Sequence, residues 1–76
     1  MLTDEELGAA RARIGGNIRA AREARGMSRQ DLACASGLNR SYVWGVENGS
    51  RNPGVDSIVR ICRALGTSFH ELLDVL

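Results

Sequence analysis

Between Ser28 and Gly49 the chain reads SRQDLACASGLNRSYVWGVENG, and this stretch leaves the backbone little freedom. Ser28 is placed to cap a helix, and Asp31 three residues on completes a variant of the capping box in which Asp replaces the usual Glu or Gln. Leu32 then faces inward, and Ala33 is small enough for a second helix to approach closely. Gly37 falls where a connecting turn needs a left-handed backbone, Leu38 fills the gap between the helices, and Asn39 can cap the second one. Val43 and Val46, three apart, share the inward face of that second helix. Two short helices held at a fixed angle by one tight turn make a helix-turn-helix, which can seat its second helix in the major groove of DNA.

The remaining sequence predicts helix throughout. Thr3 and Glu6 form a capping box, with Leu2 and Leu7 as its hydrophobic staple, so a first helix begins near Asp4 and continues to about Arg25. Leu7, Ile14, Ile18 and Ala21 follow the helical period. Gly8, Gly15 and Gly16 weaken it, each by roughly 0.5–1 kcal/mol relative to Ala, so fraying before Gly15 is expected. After the helix-turn-helix, GSRNPG is a turn-rich loop. Val55, Ile58, Val59, Ile61, Cys62 and Leu65 build a fourth helix ended by Gly66, and Ser68 with Glu71 is a further capping box opening a short fifth helix. The expected fold class is all-α: one domain of five helices over residues 1–76, with the helix-turn-helix at about 28–49.

A chain of 76 residues is near the lower size at which one core is stable without metal or disulfide, and a partner subunit would help. Cys34 and Cys62 stand alone in apolar helical patterns, far from any CxxC or Cys/His spacing, and are expected to be reduced core residues. With one His, no activated nucleophile pair and no phosphate-cradling glycine loop, neither an enzyme nor a metal or other cofactor is expected. The acidic MLTDEEL start lacks the apolar core of a signal peptide, and nothing approaches the roughly 18 apolar residues of a membrane span, so a cytoplasmic protein with no membrane partner is expected.

Net charge is +1, yet residues 8–51 hold eight arginines against Glu23, Asp31 and Glu47, a local balance of +5 between two acidic ends. A basic body of this kind suits a surface facing double-stranded DNA. With Val43 and Val46 inward, the outward face of the second motif helix carries Arg40, Ser41, Trp44, Gly45 and Asn48. Arg40 is the leading base reader, because its planar fork matches guanine O6 and N7; a phosphate contact is the alternative. Ser41 can sit against a base edge or a phosphate. The Trp44 indole either packs in the groove against a thymine methyl or sugar, or folds back over its own domain. Gly45 removes a side chain where the backbone would approach DNA. Ser28, Arg29, Tyr42, Asn48, Arg51 and Asn52 are candidates for the DNA backbone.

Nearly the whole chain, from about Ile14 to Leu73, resembles the Cro/repressor (XRE-type) helix-turn-helix domain of phage repressors and small bacterial regulators. The landmarks are IGGNIRAAREARGMS, QDLA, SGLNRSYVWGVENG, RNP, IVRICRALG and FHELL. Within that family, NRSYVWGVENGSRN is similar to the short controller proteins of restriction-modification systems. The resemblance implies a lambda-repressor-like bundle and a buried ion pair between Arg22 and Glu47. It also implies a phosphate contact from Arg29, which stands where phage proteins usually have Gln, and a backbone or phosphate contact from Tyr42. It further implies a transcriptional regulator acting as a dimer, probing a pseudo-palindromic operator and controlling its own gene, with RNA polymerase as a further partner. The apolar tail places the dimer surface at Phe69, Leu72, Leu73, Val75 and Leu76, helped by the outer face of the fourth helix, unless those side chains close the monomer core instead. A protein-binding module, such as an antitoxin or adaptor that retains the fold, is the alternative function.

Overall fold

The structure is a computed structural model that describes residues 1–74. Five helices follow one another, α1 (Asp4–Ala24), α2 (Arg29–Ser36), α3 (Arg40–Glu47), α4 (Val55–Leu65) and α5 (Phe69–Leu72), and no strand forms among the described residues. Local chemistry sets most of their starts. At α1 the Thr3 hydroxyl accepts from the Glu6 N–H (3.1 Å) while the Thr3 N–H donates to the Glu6 carboxylate (2.9 Å). The same reciprocal pair forms at α2, where the Asp31 N–H donates to the Ser28 hydroxyl (3.0 Å) and the Ser28 N–H to the Asp31 carboxylate (2.8 Å). Those Ser28 contacts, the backbone N–H first, hold the Asp31 carboxyl below its ordinary range. Asn39 caps α3 by accepting from the Tyr42 N–H at 2.7 Å. Gly37, at φ +73°, ends α2 in the left-handed conformation that turns the chain toward α3.

One core joins the helices: Ile18 of α1, Leu32 and Ala33 of α2, Val43 and Val46 of α3, Ile58, Ile61, Cys62 and Leu65 of α4, and Leu72 of α5. The helix-turn-helix pair packs on α1 through α3 and on α4 through α2. Each arm of the motif is thereby held by a helix outside it, which is the rigidity a groove-inserting helix needs.

Several expectations are corrected. α1 is continuous through its glycines, because Gly15 is buried under α3: a Cβ there would collide with the backbone carbonyls of Val46 and Glu47. Leu2 and Leu7 stay exposed, as does Val55 at the start of α4. Cys34 is exposed, because the short α2 turns Leu32, Ala33 and Ser36 inward and leaves Cys34 on the opposite face, within 3.3 Å of the Gln30 amide. Cys62 is buried, which pushes its thiol pKa up. At α5 half of the box forms: the Ser68 hydroxyl accepts from the Glu71 N–H (3.1 Å), while the Glu71 carboxylate turns to the Thr67 hydroxyl (3.0 Å). Leu72 is 1% exposed and closes the monomer core, its carbonyl accepting from the Asn17 side chain at 2.9 Å, so it is no dimer contact. Phe69 and Leu73 remain exposed, and Val75 and Leu76 lie outside the described residues.

Candidate nucleic-acid interface

Helix α3 has eight residues, so it is about 12 Å long, close to the major groove's width of about 12 Å. Val43 and Val46 anchor its inner face in the core and turn Arg40, Ser41 and Trp44 outward. These three share an open cleft of about 750 Å³ with Ser28, Arg29 and Gln30 at the start of α2, and with Gly45, Ser50 and Arg51. Three guanidinium groups line the cleft and no carboxylate does, which gives it the potential a polyanion would seek. The Trp44 indole stands in it 54% exposed, an apolar surface left for something else to cover.

Behind the cleft lies the one buried carboxylate of the described chain. Glu47 has a side chain with no solvent exposure, and Arg22 of α1 grips it with both faces of its fork: Nε to Oε2 at 2.6 Å and Nη2 to Oε1 at 3.0 Å. Arg22 Nη1 donates to the Met27 carbonyl at 2.8 Å, so all its nitrogens are used, and the Glu47 hydrogen bond raises its pKa further. Two more arginines approach the same Oε1, Arg29 at 3.2 Å and Arg19 at 3.7 Å. Glu47 therefore ties α1, the start of α2 and the end of α3 to one point.

Gly45 is buried at the cleft, and a Cβ there would come within 2.5 Å of Arg51 Cγ, so the missing side chain makes room for the arginine stem. The Arg51 guanidinium lies over the Tyr42 ring, 5.6 Å from its centroid, and the Tyr42 hydroxyl is bonded to Ser57 Oγ of α4 at 3.1 Å. Tyr42 thus shelves Arg51 at the cleft edge, with its hydroxyl already engaged. Asn48 is exposed at the C-terminal cap of α3, its side-chain oxygen accepting from the Ser50 N–H at 2.9 Å. Tyr42, Asn48 and Asn52 lie outside the cleft lining, whereas Gln30 and Ser50 belong to it and were not singled out by the sequence. Position beside Arg29 was the only cue for Gln30; Ser50 enters because its hydroxyl folds back within 3.3 Å of the Gly45 carbonyl.

Comparison with known proteins yields a family and several relatives. The helix-turn-helix family model HTH_3 matches residues 18–72. The HTH-type transcriptional regulator y4dL of Sinorhizobium fredii is 46% identical over 48 residues, 63% of this chain but 24% of that protein, so the chain spans about a quarter of its length. The crystal structure of the restriction-modification controller protein C.AhdI from Aeromonas hydrophila superposes with a TM-score of 0.79 at 43% identity, covering 80% of this chain and 92% of the other. The controller protein C.Esp1396I, solved as a tetramer in complex with its natural 35 base-pair operator, superposes with a TM-score of 0.75 at 32% identity, covering 83% of each chain.

Proposed function

Because the chain belongs to the helix-turn-helix family whose model it matches over residues 18–72, we propose that it is a sequence-specific double-stranded DNA-binding transcriptional regulator. It acts as a homodimer on a pseudo-palindromic operator and controls its own gene in the manner of a restriction-modification controller. The observation that carries this reading is the carboxylate-free cleft along the outward face of α3, with Arg40, Ser41 and Trp44 on a helix that fits the major groove. Arg40 reads a guanine edge, Ser41 and Trp44 contact the neighbouring bases, and Ser28, Arg29, Asn48, Arg51 and Asn52 hold the DNA backbone, with Tyr42 acting through Arg51, which it braces.

A single eight-residue helix spans too few base pairs for an operator to stand out in a genome, so two copies are needed, their half-sites about 10 bp apart. Val55 and Val59 on α4, Phe69 on α5 and Leu73 just past its end are exposed apolar side chains that a second copy would cover. C.Esp1396I, assembled as a tetramer on its operator, is a relative in which copies of such a chain share one DNA. No helix of the described residues is long and apolar enough to cross a membrane. On this reading the regulator works in the cytoplasm, near RNA polymerase.

Two substitutions separate reading from holding. Arg40→Ala is expected to cost about 1–3 kcal/mol on the operator and far less on a scrambled duplex. Arg29→Ala is expected to weaken both duplexes alike and flatten the dependence of affinity on salt. Anisotropy titrations of both variants decide it, and equal losses on both duplexes from Arg40→Ala would remove Arg40 as the base reader.

A further inference from the structure

The contacts of Glu47 leave a charge imbalance that the fold does not use. Arg22 alone satisfies the carboxylate with two hydrogen bonds and spends its remaining nitrogen on the Met27 carbonyl. Arg19 and Arg29 are drawn to the same oxygen through their Nε atoms, at 3.7 and 3.2 Å, so those two atoms lie within about 7 Å of each other. Their side chains are 47% and 36% exposed, and among the described residues neither guanidinium has another hydrogen-bond partner. Glu23, one helical turn from Arg19 on α1, forms no ion pair with it within 4 Å. One negative charge thus faces three positive ones, and the fold holds two partly exposed, like-charged arginines at a single carboxylate oxygen. Repulsion of this kind is relieved by an anion that both forks can grip, and a phosphate's oxygens match guanidinium geometry. Arg29 lines the cleft, so the anion would sit on the cleft rim formed by α1 and the start of α2.

We propose that Arg19 and Arg29 form one seat for a DNA backbone phosphate, with Glu47 as the positioning residue that aims both forks, and that Arg19 is a backbone contact in its own right. The inference rests on the DNA-binding reading, but it concerns a contact blind to sequence and is therefore testable on any duplex.

The test is a salt series, from about 50 to 200 mM, of the affinity of wild type, Arg19→Ala and Arg19→Lys for the operator and for a scrambled duplex. Loss of one phosphate contact flattens the slope of log affinity against log salt by about 0.9, on both duplexes, leaving their affinity ratio unchanged. Arg19→Lys keeps the charge and the wild-type slope. A merely structural Arg19 would lower the thermal midpoint of Arg19→Ala without moving the slope, and a wild-type slope in that variant overturns the seat. If the slope flattens but wild type prefers neither duplex, the seat stands and the operator reading fails. A wild-type affinity indifferent to salt would overturn both.

Discussion

Glu47→Ala is expected to destabilise the fold by about 3–5 kcal/mol, the cost of breaking a buried ion pair from one side. Arg22 stays behind with its guanidinium buried against the core, having lost two charge-assisted hydrogen bonds, and Arg19 and Arg29 lose the carboxylate that tempers their mutual repulsion. In a domain of this size each 1 kcal/mol moves the melting temperature by about 4–8 °C, so a drop of at least about 12 °C is expected in thermal denaturation followed by circular dichroism. Replacing both partners, as in Arg22→Met with Glu47→Leu, recovers much of the loss, because an apolar pair of similar volume leaves no unpaired charge buried. A shift in Glu47→Ala of less than about 1 kcal/mol, the range of a surface ion pair, would mean that the pair is not the tie among α1, α2 and α3 that its geometry describes.

The neighbouring glycines of α1 are expected to respond with opposite signs. Gly15→Ala places a methyl group against the Val46 and Glu47 carbonyls, and backbone on the far side cannot swing away as a side chain end could. The helices must part, and overpacking of this kind costs about 1–3 kcal/mol even though alanine is the better helix former. Since the atoms struck belong to the end of α3, DNA affinity falls along with stability. Gly16→Ala meets nothing within 4 Å on the exposed side of α1 and is expected to stabilise by about 0.5–1 kcal/mol. Urea denaturation of the two variants checks this, and a stabilised Gly15→Ala would show that α1 and α3 do not cross at that residue.

Those glycines also mark where the sequence stops being legible. Side by side in one helical pattern, they look alike to any argument from propensity; only the backbone of residues 46–47, far along the chain, tells them apart. What was legible is local. Caps at Thr3, Ser28 and Asn39 form within three residues, and the Val43–Val46 spacing fixes which face of α3 turns inward. The cleft residues Arg40, Ser41 and Trp44 follow from that spacing alone. Cys34 was misread because α2 is too short for a period to be read with certainty, and its inner face is completed by Ser36, whose hydroxyl is satisfied by the Leu32 carbonyl at 2.7 Å. At Gly45 the room taken by the Arg51 stem is a tertiary fact that the sequence does not show. Leu72 was placed on the surface because an apolar tail on so small a chain suits a dimer and a core equally, and Asn17, which ties its carbonyl to α1, gives no sign of that bond in the sequence. The Arg22–Glu47 pair came from family resemblance, and Arg19, its third arginine, drew no attention because it is one charge among many on a basic helix.

The central claim is that the cleft on α3 recognises a particular DNA sequence. Titration of the wild-type protein against the DNA immediately upstream of its own gene, with a scrambled duplex as competitor at about 0.15 M salt, tests it most directly, because nonspecific binding is weak there. A discrete complex that forms sigmoidally with monomer concentration and survives the competitor is the predicted result. Binding that either duplex displaces equally would contradict it.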